Sequence, residues 1–247
     1  MNTHTNESGL NIPLIDVSES VTESRSERLR KRQQRLFILL ILASCLCFLS
    51  VVILLKGPGR YARWSYAPKD GDIVFQSLKP SPLVIAIEGV TQSSFSHCGI
   101  VFSKGNEFYV CEAFDSVEVT PIKEFLKRGR EEGFAVYRFQ EQYQQHIPSI
   151  INAAKSFLGH PYDVRYRMDD GHIYCSELIY KAWSAVSPKQ PLGSLRKLGE
   201  MNWQPYEETI RYLEQGPVPL DREMITPADL AVAEELELLT AFRIRTP

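Results

Sequence analysis

The chain has 247 residues, 44% of them apolar and 23% charged, with a formal net charge of −2. That is the composition of a globular protein with length for one core-bearing domain plus appendages. A charge so near zero argues against a nucleic-acid binder, which neutralises phosphates with clustered Lys and Arg.

In chain order, residues 1–35 form a polar tail that ends in a basic cluster, Arg25, Arg28, Arg30, Lys31, Arg32 and Arg35. Residues 1–24 are rich in Ser, Thr, Asn and Glu without a sustained period, which predicts disorder. Residues 36–55 read LFILLILASCLCFLSVVILL, without a charge. Twenty helical residues rising about 1.5 Å each match the roughly 30 Å hydrocarbon core of a bilayer, so a transmembrane helix is expected. The basic cluster before the span places the N-terminus in the cytoplasm and the remainder outside by the positive-inside bias, periplasmic in a Gram-negative cell. A cleaved signal peptide has a shorter apolar region. Leu42-Ala43-Ser44-Cys45 resembles a lipobox, but the apolar run continues well beyond Cys45, and an uncleaved anchor is the better reading. Residues 56–70 read as a linker, with Tyr61, Trp64 and Tyr66 suited to a membrane interface.

Residues 71–247 form the remaining domain. Strands are expected at Ile73-Val74-Phe75, at 96–103, at 107–114, at Val117-Glu118-Val119 and at 134–139, making a five-stranded sheet. A short helix is expected after Val119, with Thr120 as N-cap and Pro121 at its first position. Two longer helices follow. One carries Ile150, Ile151, Ala154, Phe157 and Leu158 at helical spacing. The other runs from Cys175 with Leu178, Ile179, Ala182, Trp183 and Val186 on one stripe. Thr226-Pro227-Ala228-Asp229 is a further start signal, read as opening an apolar and acidic helix. The fold class expected is α+β, a small antiparallel sheet packed with helices.

The span aside, the cysteines are Cys98, Cys111 and Cys175. The sequence has no zinc-type Cys/His spacing, no GxSxG elbow and no phosphate-binding glycine loop, so neither a metal nor a cofactor is called for. Cys175 opens a helix, where unpaired N–H groups and the positive dipole end favour a thiolate. A buried, inert thiol is the bland alternative. A hairpin turn centred between Lys104 and Gly105 would set His97 opposite Glu112, a pair suited to fixing an imidazole's tautomer. The bland alternative there is a surface ion pair. The same register would set Cys98 opposite Cys111, as two small buried thiols or a cross-strand disulfide.

Six segments then align with a known group in order: GDIVFQ at 71–76, SHCGIVF at 96–102, VCEAF at 110–114, LGHPYD at 158–163, YCSELIYKAW at 174–183 and ITPADLA at 225–231. Together they resemble the permuted NlpC-type papain-like hydrolases, the YiiX/YebB-like group related to lecithin retinol acyltransferase. The resemblance implies Cys175 as nucleophile, His97 as its base and Glu112 as the third member. Their order along the chain is the reverse of papain's, as a circular permutation requires. Tyr174, Tyr162 and Ser96 flank these motifs and are candidates for the substrate cleft, with packing as the alternative role.

The chemistry implied is acyl transfer through an acyl-enzyme. One substrate is an amide bond in cell-wall peptides, implied by the NlpC likeness. Another is an acyl lipid or thioester, implied by the acyltransferase relatives and the tether. A binding module without turnover is the third reading. A narrow polar cleft would favour the first and a long apolar groove the second. The sequence is silent on oligomeric state.

Overall fold

The computed structural model describes residues 17–56 and 66–247. The expectations for residues 1–16, and for Tyr61 and Trp64, lie outside the described residues. The chain divides into two units, residues 1–58 and 59–247. The first contains helix α1 (Val17–Lys56). Within it, Leu29–Val51 is a 23-residue stretch long and apolar enough to cross a membrane, with its side chains exposed.

The second unit is built on a six-stranded antiparallel sheet in the order β4-β3-β2-β1-β5-β8. Its strands are β1 (Ile73–Gln76), β2 (His97–Lys104), β3 (Glu107–Ala113), β4 (Val117–Pro121), β5 (Phe134–Phe139) and β8 (Leu236–Phe242). A separate two-stranded ribbon pairs β6 (Arg196–Lys197) with β7 (Glu223–Met224). The helices of this unit are α2 (Pro82–Thr91), α3 (Ile122–Arg128), α4 (Ile147–Lys155), α5 (Cys175–Ser184), α6 (Glu207–Glu214) and α7 (Pro227–Ala231).

Strand alternation divides the core in two. Ile73, Phe75, Cys98, Ile100, Phe102 and Cys111 face the larger core with α4 and α5. Val74, Val101, Val110, Phe134 and Val136 face Phe125 and Leu126 of α3. The central strands are therefore covered on both faces, which is why they read as nearly continuous apolar runs. The GD of the first motif is a structural anchor. Buried Asp72 accepts two hydrogen bonds from Arg138, at 2.7 and 2.9 Å, with further ones from Tyr66 and the Lys69 N–H. A buried carboxylate needs such compensation, and here it ties β1 to its neighbour β5.

Three details depart from expectation. First, β2 and β3 pair Gly99 with Glu112 and Lys104 with Glu107, so the turn is Gly105-Asn106, with Gly105 at φ +63°. His97 is diagonal to Glu112, and Cys111 lies opposite Ile100, so Cys98 and Cys111 are not cross-strand partners and both are free thiols. Second, the tail beyond α7 turns back as β8 and pairs with β5, making a sixth strand where a longer helix was expected. Third, Thr120 stays in β4, opposite Val110, and α3 starts at Ile122 without a side-chain cap.

Gly99 has a packing reason. A Cβ there would lie 2.4 Å from Val110 Cγ1, 3.0 Å from the Cys111 carbonyl oxygen and 3.1 Å from Glu112 Cβ. Gly99→Ala is expected to lower the unfolding free energy by about 1–3 kcal/mol, measured by urea denaturation of the full chain. An unchanged midpoint would mean that this corner of the sheet has slack.

Candidate active site

Cys175 sits at the first position of α5, after an extended N-cap residue, Tyr174. The cap is held from both sides. The Tyr174 N–H donates to Glu177 Oε2 at 3.1 Å, and the Ile225 N–H donates to the Tyr174 hydroxyl at 3.1 Å. Ser176 donates its hydroxyl to the Ile225 carbonyl at 2.9 Å. Next to Ile225, Thr226 and Asp229 cap α7 reciprocally. The ITPADLA motif therefore buttresses the start of the Cys175 helix, a role its sequence did not reveal.

His97 is the first residue of β2 and is 2% exposed; Glu112 on β3 is fully buried. Their side chains meet at 2.5 Å between His97 Nε2 and Glu112 Oε2. Glu112 occupies Nε2, so Nδ1 is the nitrogen left for the Cys175 thiol. The imidazole is held between Phe125, stacked at 5.6 Å, and Phe114, edge-on at 5.7 Å. The second Glu112 oxygen accepts from Arg128.

Burial works against a charge on His97, but hydrogen bonds with Cys175 and Glu112 outweigh it and lift the imidazole to about 9. Cys175 moves the opposite way. A hydrogen bond from Cys98 is the largest influence. Together with the hydrogen bond and charge of His97, it overcomes burial and holds the Cys175 thiol well below its ordinary value. Burial would also raise Glu112, yet His97, the Arg128 charge and the Thr120 hydroxyl hold it below the usual carboxylate range. Burial pushes Cys98 well up and Cys111 up to about 12. Of the three buried thiols, only Cys175 is poised as a thiolate.

A cleft of about 590 Å³ opens beside His97, lined also by Ser96, Arg128, Tyr162 and, from α2, by Leu83, Val84 and Ile87. Cys175 itself is fully buried. Tyr162 lines the cleft and lies close enough to feel the charge of Cys175. Of the residues expected to line a substrate cleft, Tyr162 and Ser96 line this cavity, and Ser96 also accepts the Leu78 N–H at 2.9 Å. Tyr174 is fully buried behind the site, stacked on Tyr166 at 4.3 Å. Asp163 organises its loop by accepting from the N–H groups of Arg165 and Arg167 at 2.9 and 2.6 Å.

Helix α2 went unread in the sequence. Its signal is present, Ser81 capping the Val84 N–H ahead of Pro82. Leu83, Ile87 and Val164 also wall a second, predominantly apolar groove, with Ala86, Val90, Tyr166, Ile210 and Met224. The two cavities thus share walls.

Residues 67–240 match the family described as the permuted papain-like amidase enzymes, YaeF/YiiX, C92. The chain is 28% identical over 180 residues to the uncharacterized protein YiiX of Escherichia coli (strain K12), covering 70% of this chain and 86% of that relative. The crystal structure of metalloprotein yiiX from Escherichia coli O157:H7 superposes with a TM-score of 0.65 at 26% identity, covering 74% of this chain and all of that one. Among the described residues no group of three or more His, Cys, Asp or Glu is placed to hold a metal ion. With a family match over residues 67–240 and a structural relative of the same name, the chain belongs to the C92 family of permuted papain-like amidases.

Proposed function

We propose that this protein is a membrane-anchored cysteine amidase that acts on acyl-bearing substrates, with Cys175 as nucleophile, His97 as its base and Glu112 as the group that orients His97. The observation that carries the reading is the buried linkage itself. Glu112 holds one imidazole nitrogen at 2.5 Å, and the same ring lies within electrostatic reach of Cys175 at a helix N-terminus. In the resting site the proton rests on His97 and the thiolate on Cys175. The thiolate attacks the carbonyl carbon, and the first-turn N–H groups of α5, which lack intrahelical acceptors, stabilise the oxyanion. The imidazolium then protonates the leaving amine, and the neutral imidazole activates water or another acceptor to resolve the acyl-enzyme.

The acyl preference is supported by the cavities. Leu83, Ile87 and Val164 wall both the His97 cleft and the apolar groove. The groove is small, about 70 Å³ against about 590 Å³ for the cleft, and its apolar walls suit a short length of hydrocarbon beyond the cleft. The anchor is supported by the apolar stretch Leu29–Val51. With the basic residues Arg25 to Arg35, which precede and open that stretch, in the cytoplasm, the domain stands on the far side of the membrane.

Site-resolved alkylation of the full chain from about pH 5 to 9 tests the nucleophile. Cys175 is expected to react well below the ordinary thiol pKa of about 8.5 and to lose that advantage in His97→Ala. An inert Cys175, indifferent to His97, would leave a binding module on a hydrolase fold.

Turnover is tested by offering N-acyl amides, acyl thioesters and wall peptides to the full chain, with acyl-enzyme followed by mass spectrometry. An adduct on Cys175 is expected from the acyl substrates. Cys175→Ser is expected to cut turnover by on the order of 10⁴-fold or more, and Glu112→Gln by about 10²–10⁴-fold. Turnover of wall peptides alone would return the assignment to a peptidase.

His97 must be protonated to assist the leaving group, and its proton is held up to about 9. The rate on amide substrates should therefore fall as pH rises through about 9. A profile flat from neutrality to about pH 10.5 would remove His97 as the acid.

A further inference from the structure

The chemistry above uses one oxygen of Glu112. The other is held by Arg128, the last residue of α3. The arrangement is built rather than casual. The Arg128 guanidinium lies 4.0 Å from the ring centroid of Phe114 and 5.7 Å from that of Phe125. These are the two rings that hold His97, at 5.7 and 5.6 Å. One aromatic pair thus fixes both positive partners of Glu112, one for each carboxylate oxygen. Cation–π contact adds to the ion pair when the cation is partly desolvated, and the Arg128 side chain is only 22% exposed.

The charges count in the same direction. With a thiolate on Cys175 and an imidazolium on His97, Glu112 and Arg128 complete a set of two negative and two positive groups. Removing Arg128 would leave one net negative charge in a site where Cys175 and Glu112 are both fully buried. An uncompensated buried charge is costly and is relieved by taking up a proton. The other groups facing Glu112 offer no substitute. His97 faces it from β2 and the Thr120 hydroxyl from β4. Glu118, its registered partner on β4, adds a further carboxylate.

Resting on the reading of Cys175, His97 and Glu112 given above, we propose that Arg128 is a positioning residue for the reaction: it keeps Glu112 ionised and aimed at His97, and so keeps Cys175 a thiolate. Arg128 acts through Glu112 and moves no proton itself. What Glu112 needs from Arg128 is its positive charge, held in place by the Phe114 ring 4.0 Å away.

The test is the pH dependence of Cys175 alkylation by iodoacetamide in the full-length protein, read by peptide mass, in wild type, Arg128→Gln, Arg128→Lys, Glu112→Gln and the Arg128→Gln/Glu112→Gln double variant. Arg128→Gln is expected to shift the alkylation profile to higher pH, with a rate at about pH 6 roughly tenfold or more below wild type. Arg128→Lys should recover most of that loss, and if the glutamine variant does not fold, Arg128→Met carries the same expectation of a shift to higher pH. In the Glu112→Gln background, Arg128→Gln should change little, because its target is already gone. A wild-type profile in Arg128→Gln would overturn the proposal and leave the Cys175 reading standing, as would a full additional loss in the double variant. An inert wild-type Cys175 would remove the nucleophile reading and this proposal with it.

Discussion

A carboxylate with no exposed surface, bound to an imidazole on one side and a guanidinium on the other, is the constraint from which the rest of this domain can be read. Glu112 cannot stay charged in a dry interior unless both oxygens are engaged, and it cannot orient His97 unless it stays charged. Gly99, opposite Glu112, leaves room for the Val110 side chain and the Cys111 carbonyl, which a Cβ there would meet at 2.4 and 3.0 Å. Thr120 is held in β4, on the Glu112 face, rather than at a helix start, and supplies a further hydrogen bond. Helix α3 then follows at once, and its last residue delivers Arg128 to the remaining oxygen. Sheet register and a helix length are thereby tied to the ionisation of one side chain.

The pairing of His97 with Glu112 was legible even though the register was not. The sequence suggests a turn centred at Lys104-Gly105, whereas the chain turns at Gly105-Asn106. That displaces the partner of His97 by two residues. Side chains on a strand alternate with period two, so a shift of two leaves Glu112 on the same face as His97. It turns a direct pair into a diagonal one, still within reach of two long polar side chains. A shift of one would have exchanged Glu112 for Cys111 and abolished the site. The same alternation sends Cys98 and Cys111 to the large core, where neither can be the orienting group.

Other features were hidden for identifiable reasons. Residues 236–242 gave no clear strand pattern because β8 lies at the sheet's edge. Its central residues are largely exposed, and its pairing shifts between Val136 and Tyr137. In the sequence Arg128 is one basic residue among several, and at a helix end a basic residue is favoured in any case by the dipole. Nothing local marks it as the partner of a carboxylate sixteen residues earlier. The ITPADLA segment likewise acts through Ile225, whose backbone groups meet Tyr174 and Ser176 across about fifty positions of chain. Motifs with local chemistry could be read from the sequence. Residues that act on another residue's ionisation could not, because their meaning depends on tertiary distance.

The pairs that prepare the thiolate also decide when the site is most stable. His97 carries a higher pKa folded than its unfolded value of 6.5, reaching about 9. Its proton therefore contributes stability that is fully present below 6.5 and lost as pH rises through about 9. Glu112 runs the other way, with a folded value below 4.5. Its contribution is present above 4.5 and lost as pH falls through the depressed value. Cys175, held below its ordinary value of 9.0, contributes above 9.0 in full and loses that contribution as pH falls. Between the acid and alkaline limits the shifts favour imidazolium, carboxylate and thiolate together, the state from which the proposed chemistry would start. Titrating any one of them unbalances the buried charges by one, so loss of the proposed reactivity and loss of local stability share a cause. In this domain the ionisation state that the proposed chemistry requires and the best-packed state of the site are the same state.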